Sequence, residues 1–226
     1  MRVVGGAWRG RRLVAPRGVA TRPTSDIVRE AIFNVLAAAL AGRRTLERHE
    51  QNAAGEPLET TAVGEALATA SFGEPLDTAS VGGPLEGMAV LDLFAGSGAL
   101  GIEALSRGAA SCAFVERAPA AVRVLRDNLA RIGVPAEATR VRAGDYRRAL
   151  TADAAGARLY NLVLVDAPYA SYPAVEPELA DRLPVVLAPG AVVVVETARR
   201  QVVNLPLIET SVKLYGDTRV TFCSEV

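Results

Sequence analysis

Hydrophobic and polar positions follow a regular alternation from Met88 onward. Short apolar runs at 89–94, 112–116, 139–143, 161–166 and 191–196 are separated by stretches of helical period near 99–107, 118–131, 146–152 and 174–187. Runs such as "LVLV" and "AVVVV" suit strands buried on both faces of a sheet, and strand–helix alternation predicts a mostly parallel α/β sheet. The chain end differs. "LIETSVKLY" and "TRVTFCSEV" flank Gly216-Asp217, which predicts a terminal antiparallel hairpin. Upstream, "PTSD" offers N-cap chemistry. Ile27, Val28, Ala31, Ile32, Val35, Leu36, Ala39 and Leu40 then make one apolar helix face, predicted to end near Gly42. The first 22 residues mix short apolar pieces with Gly and Arg and read as a small hairpin or extended arm anchored by Trp8.

Residues 43–87 break this pattern. "GEPLETTAV", "GEALATASF" and "GEPLDTASV" are nine-residue repeats, and "GGPLEGMAV" is a decayed fourth. They are acidic and punctuated by Gly and Pro, so they predict a solvated insertion. Three divisions result: an N-terminal basic arm and helix over 1–42, the insertion over 43–87, and an α/β domain over 88–226.

The zero net charge of the 226 residues hides a segregation. Residues 1–44 hold nine arginines against Asp26 and Glu30, a balance of +7; residues 45–87 hold eight acids against Arg48, a balance of −7. A basic arm ahead of a neutral domain predicts a polyanionic partner. His49 is the only histidine, so histidine-based catalysis or metal binding is not expected. Cys112 and Cys223 lie in apolar segments without a C-x-x-C and read as reduced thiols of a cytoplasmic protein. No apolar run approaches the length of a membrane span or a secretion signal.

The chemistry gathers at strand ends. "DLFAGSGALG" contains Gly96-Ser97-Gly98-Ala99-Leu100-Gly101, a literal G-x-G-x-x-G that by itself fits a nicotinamide or flavin dinucleotide. Asp92, just before the glycines, would repel a pyrophosphate. It would attract the ammonium and sulfonium of S-adenosyl-L-methionine. Glu116 ends the second strand, where an acid can accept from both ribose hydroxyls, and Asp145 follows the third, placed to accept from an adenine amine. In strand order, these three favour the methyl donor over a dinucleotide.

"VDAPY", Val165 to Tyr169, ends the fourth strand and resembles the [DNS]-P-P-[YF] signature of methyltransferases that act on planar nitrogens. An exocyclic amine conjugated to a base is flat and weakly nucleophilic. If Asp166 and the carbonyl of Ala167 accept its two protons, the lone pair is aimed at the methyl carbon. Tyr169 supplies a face for base stacking. Ala167 stands where the signature has its first proline, which leaves the carbonyl in place and the loop less rigid.

On "RVVGGAWRGRRL", "RPTSDIVREAIFNVL", "VLDLFAGSGALGIEALSRGA", "VDAPY" and "YGDTRV", the chain resembles the bacterial RsmD family of 16S rRNA guanine-N2-methyltransferases over all but roughly 43–87. The resemblance implies a Rossmann-like class I methyltransferase sheet with a small RNA-contacting extension. It implies S-adenosyl-L-methionine as cofactor, held by Asp92, Phe94, Ala95, Gly96, Ser97, Gly98, Glu116, Arg117, Asp145 and Tyr146. Asp166, Ala167, Pro168 and Tyr169 become the catalytic set. Arg9, Arg11, Arg12, Arg17, Arg22 and Thr24 become contacts to 16S rRNA, within the small ribosomal subunit or an assembly intermediate. Two other readings stay open: an N-methyltransferase of DNA or of a protein glutamine amide, and a non-catalytic RNA-binding assembly factor.

Overall fold

The computed structural model describes residues 1–15, 25–52 and 83–225, with side chains between 43 and 52 left aside. The repeats from 55 to 82 lie outside the described residues, as do Arg17, Arg22 and Thr24.

Seven strands, β1 (Ala89–Leu93), β2 (Ser111–Glu116), β3 (Thr139–Ala143), β4 (Tyr160–Val165), β5 (Leu187–Ala198), β6 (Ile208–Tyr215) and β7 (Thr218–Ser224), form one sheet in the order β3-β2-β1-β4-β5-β7-β6. The first five are mutually parallel, and β7 runs antiparallel to both β5 and β6. The described α-helices are α1 (Asp26–Asn52), α2 (Ala99–Ser106), α3 (Pro119–Ile132), α4 (Tyr146–Ala155) and α5 (Tyr172–Arg182).

The unbroken apolar strands make sense because both faces are covered. Val90, Leu162, Leu164, Val192 and Val194 point into one core with Val28, Ile32 and Leu36 of α1 and Ile102, Leu125 and Leu129 of α2 and α3. Their neighbours Leu91, Val163, Val165, Val193 and Val195 point into the other, with Leu150 of α4 and Val175 and Leu179 of α5.

The predicted elements appear with shifted ends. The helix expected over 174–187 stops at Arg182, because Pro184 cannot continue it; a short 3-10 turn at Pro184–Val186 leads directly into β5. Ser25 caps α1 by accepting from Val28 N at 3.2 Å, as "PTSD" suggested. The helix expected to end near Gly42 continues to Asn52, and Leu85, inside the segment read as insertion, is buried. Ile27, assigned to the apolar face, is 73 % exposed, and the face is completed by Phe33 instead.

The N-terminal arm is not a free tail over residues 1–15. Its ends meet in an isolated antiparallel bridge between Arg2 and Arg12, and Val3 and Leu13 enter the first core. Gly5 and Gly6 lie against the end of α2: a Cβ on Gly6 would meet the carbonyl oxygen of Ser106 at 1.8 Å. Trp8 N donates to Ser106 Oγ, and Ser106 Oγ donates to Gly5 O.

Candidate active site

The carboxyl ends of the parallel strands meet where β1 pairs with β2 on one side and β4 on the other. Chain order reverses there, and such a switch point opens a crevice in a doubly wound sheet. The glycine loop follows β1, Glu116 ends β2, Asp145 follows β3 and Asp166 follows β4. The structure therefore brings the four acids read from sequence to one edge of the sheet.

Within the loop the glycines do different things. Gly98 has φ +82°, and a Cβ there would lie 2.2 Å from Leu125 Cδ1. Gly101 has an ordinary φ, but its Cβ would lie 2.3 Å from Phe114 Cε1, so it lets α2 approach β2. Gly96 has φ +55° and its Cβ would meet only Phe94 O at 3.9 Å, so it faces open space. Ala95 N bonds to Val115 O and ties the loop to β2. Ser97 is buried, and its carbonyl accepts from Asn128 Nδ2 at 2.9 Å.

Asp92 is 1 % exposed, and its Oδ2 accepts from Gly101 N at 2.9 Å, at the start of α2. Oδ1 is buried with no hydrogen-bond partner among the described residues. Burial, opposed by the Gly101 bond and reinforced by Asp166 and Glu116, pushes its pKa up to about 8. From sequence, Asp92 is expected to be an exposed anion facing ligand. The structure makes it a buried carboxyl that organises the loop and carries a proton at neutral pH.

Glu116 is half-buried and accepts from Gly96 N at 2.9 Å and Ala118 N at 2.7 Å, which leaves further lone pairs on its oxygens. Arg117 beside it is exposed. Asp145 caps α4, accepting from Arg147 N at 2.9 Å, and forms an ion pair with Arg147 at 3.4 Å. Phe94, at φ +64°, packs its ring 5.0 Å from that of Tyr146, over which Arg147 sits at 4.8 Å. These rings form a wall between the glycine loop and α4.

Asp166 extends the β1–β4 ladder by one loose step, its N 3.5 Å from Leu93 O. Ala167 is buried, Pro168 exposed and Tyr169 half-buried. The Tyr169 hydroxyl lies 3.0 Å from Glu196 Oε1 on β5 and 2.9 Å from Thr218 Oγ1 on β7. Sequence reasoning gave neither partner a role; the signals were an acid closing the "AVVVV" run and Thr218 within "YGDTRV".

S-adenosyl-L-methionine fits this site on two observations. The Gly96 face is open to a ligand, and Glu116 and Asp166, at the ends of the two strands that flank β1, set acids about one crevice that favours a cationic group over a pyrophosphate. Among the described residues no cluster of His, Cys, Asp and Glu could hold a metal ion. No helix among them is long and apolar enough to cross a membrane.

The arginines divide. Arg9, Arg11 and Arg12 are exposed, and Arg11 Nη1 donates to Ile132 O. Trp8 and Arg11 thus bond to the last residues of α2 and α3, helices that run back from the crevice. Val14 of the arm exchanges bonds with Asn128, whose amide also reaches Ser97 O of the glycine loop, so the arm spans from those helix ends toward the crevice. Arg29, counted with the arm's positive charge, is fully buried instead.

The family profile described as "Conserved hypothetical protein 95" matches residues 1–55 and 76–224. YlbH of Bacillus subtilis (strain 168), named as a candidate rRNA methyltransferase, is 33% identical over 169 residues, 75% of this chain and 67% of that protein. Ribosomal RNA small subunit methyltransferase D of Escherichia coli (strain K12) is 31% identical over 173 residues, 75% of this chain; the match spans only 60% of that protein's length. Two solved structures are similar over all of this chain. A hypothetical protein of Thermus thermophilus has 26% identity and a TM-score of 0.69 over 99% of its length. The Escherichia coli protein yhhF, named as a candidate methyltransferase, has 27% identity and a TM-score of 0.65 over 97% of its length. With its profile, its relatives and its sheet in agreement, the chain belongs to the Conserved hypothetical protein 95 family, which is the RsmD family.

Proposed function

We propose that this protein transfers the methyl group of S-adenosyl-L-methionine to the exocyclic N2 amine of a guanine in 16S rRNA of the small ribosomal subunit. The observation that carries the reading is the position of Asp166–Tyr169 directly after β4, beside the open face of the glycine loop. The names of YlbH and of the Escherichia coli methyltransferase support rRNA as the substrate class.

The bound cofactor supplies an electrophilic methyl group on a sulfonium. Glu116 and Asp145 accept hydrogen bonds from its nucleoside end, and the Phe94–Tyr146 pair walls that side. Asp166 and the Ala167 carbonyl accept the two protons of the guanine amine and orient its lone pair. A methylated amine must shed one proton, and Asp166, already its hydrogen-bond acceptor, would take it. Tyr169 stacks on the base and holds it against rotation, so that the amine stays aimed at the methyl group.

Arg9, Arg11 and Arg12 neutralise phosphates in this reading. The arm is tied through Arg2 O to Arg29 of α1, whose start lines the cavity at Tyr169, and through Val14 to Asn128 beside the glycine loop.

The test is incubation with undermethylated small ribosomal subunits and labelled cofactor, followed by nuclease digestion and mass spectrometry. The expected product is N2-methylguanosine at one site. A methylated adenine, cytosine or protein would reassign the acceptor, and no transfer to any of them would sink the enzymatic reading.

A further inference from the structure

The tyrosine of the "VDAPY" loop is tied down by its hydroxyl. A phenol has one proton, and a carboxylate only accepts. Tyr169 therefore donates to Glu196 at 3.0 Å, and the Thr218 hydroxyl donates to the Tyr169 oxygen at 2.9 Å. Burial pushes the Tyr169 phenol up to about 12, so its proton stays in the chain of bonds. Thr218 pairs with Ala198 across the β5–β7 ladder, two residues on from Glu196, so the two partners are diagonal neighbours on one face. Glu196 is itself 5 % exposed, a depth at which a carboxylate needs donors.

A cavity of about 120 Å³ adjoins the ring, bounded by Ser25 and Val28 of the α1 entrance and by Tyr215 and Asp217 of the β6–β7 turn. A ring beside open space has rotamers to lose, and bonds at its hydroxyl remove them.

We propose that Glu196 and Thr218 are positioning residues that fix the Tyr169 ring as the platform for the target base, coupling the β6–β7 hairpin to the acceptor site. This rests on the guanine-methyltransferase reading above.

The test is a double-mutant cycle of Tyr169→Phe and Thr218→Val, with Thr218→Ser as the conservative rescue. Each protein is assayed for kcat and KM on the RNA substrate, for S-adenosyl-L-methionine Kd and for melting temperature. Tyr169→Phe and Thr218→Val are each expected to lower kcat/KM roughly tenfold, mainly through KM for RNA. Cofactor Kd should hold in both and melting temperature in Thr218→Val, while Tyr169→Phe, which takes a donor from buried Glu196, should lower melting temperature modestly. The double variant should be no worse than Tyr169→Phe, because Thr218 then has no hydroxyl to orient, and Thr218→Ser should restore activity. Glu196→Gln keeps an acceptor oxygen and should fall between. Wild-type kcat/KM in Thr218→Val would overturn the proposal. So would fully additive defects, or losses shared equally by cofactor affinity and melting temperature. Absence of methyl transfer by the wild type sinks the underlying reading instead, and that shows before any variant is made.

Discussion

Arg29 Nε and Glu103 Oε2 face each other at 3.6 Å, both side chains fully excluded from solvent, between α1 and α2. Glu103 also accepts from Val4 N at 2.8 Å and from Arg107 Nε at 2.8 Å, while Arg29 donates to Arg2 O and to Asp26 Oδ1. One buried pair thus fastens the arm, the first helix and the helix of the glycine loop. Removing one partner leaves the other a single counter-ion, Asp26 for Arg29 or Arg107 for Glu103, and buried polar atoms unmatched, which costs about 1–3 kcal/mol. Glu103→Ala and Arg29→Met should each destabilise by that amount in urea unfolding. A change below about 1 kcal/mol in both would show that the pair is not a fastening point.

Three glycines of one loop should respond differently to alanine. Gly98→Ala and Gly101→Ala drive a methyl into Leu125 and Phe114, and overpacking of this kind costs about 1–3 kcal/mol. Gly96→Ala meets no close neighbour and bears only the strain of its positive φ, about 1–2 kcal/mol. Its new methyl projects toward the proposed cofactor, so affinity should fall more than stability does. Calorimetric titration beside thermal unfolding separates the two, and unchanged affinity in Gly96→Ala would move the cofactor elsewhere.

Asp92 sets a pH dependence. Its folded pKa is raised from 3.8 to about 8, so the folded state holds a proton that the unfolded chain releases. Its contribution to stability is complete below pH 3.8 and is lost as pH rises toward 8, with a slope of up to about 1.4 kcal/mol per pH unit. Asp92→Asn keeps an oxygen for Gly101 N and removes the titration. Unfolding free energies of the two proteins should diverge with rising pH, the variant becoming relatively more stable. Parallel curves across the window from 3.8 to about 8 would contradict the buried, protonated state.

Asp166→Ala should lower methyl transfer by a few hundredfold or more, since one oriented acceptor in the transition state is worth about 3–4 kcal/mol. S-adenosyl-L-methionine binding should be spared, and Asp166→Asn, with one acceptor oxygen left, should fall between. Full activity in Asp166→Ala would refute the mechanism.

Arg9, Arg11 and Arg12 are exposed on the arm and should set the salt dependence of RNA binding. Replacing Arg9, Arg11 and Arg12 by Ala should flatten the salt dependence of binding by roughly one unit for each phosphate no longer neutralised. Affinity for S-adenosyl-L-methionine should hardly change. An unchanged salt dependence would assign those arginines to an ordinary solvated surface.

The sequence by itself determined the alternation of elements, because an apolar strand buried on both faces and a helix of period 3.6 leave different local patterns. It also determined which strand ends carry chemistry: Asp92 and Glu116 lie at the ends of β1 and β2, Asp145 and Asp166 just after β3 and β4, and a parallel sheet must bring those ends together. Tertiary structure decided what each group faces. Asp92 reads as an anion toward ligand, yet its carboxyl is buried against Gly101 N, since burial is set by the helix packed over it. Arg29 reads as one more charge of a basic arm, yet it lies between two helices, because only the folded chain brings Glu103, 74 residues away, to meet it. Glu196 and Thr218 became partners of Tyr169 only when β7 was laid antiparallel beside β5, a register that no local pattern encodes.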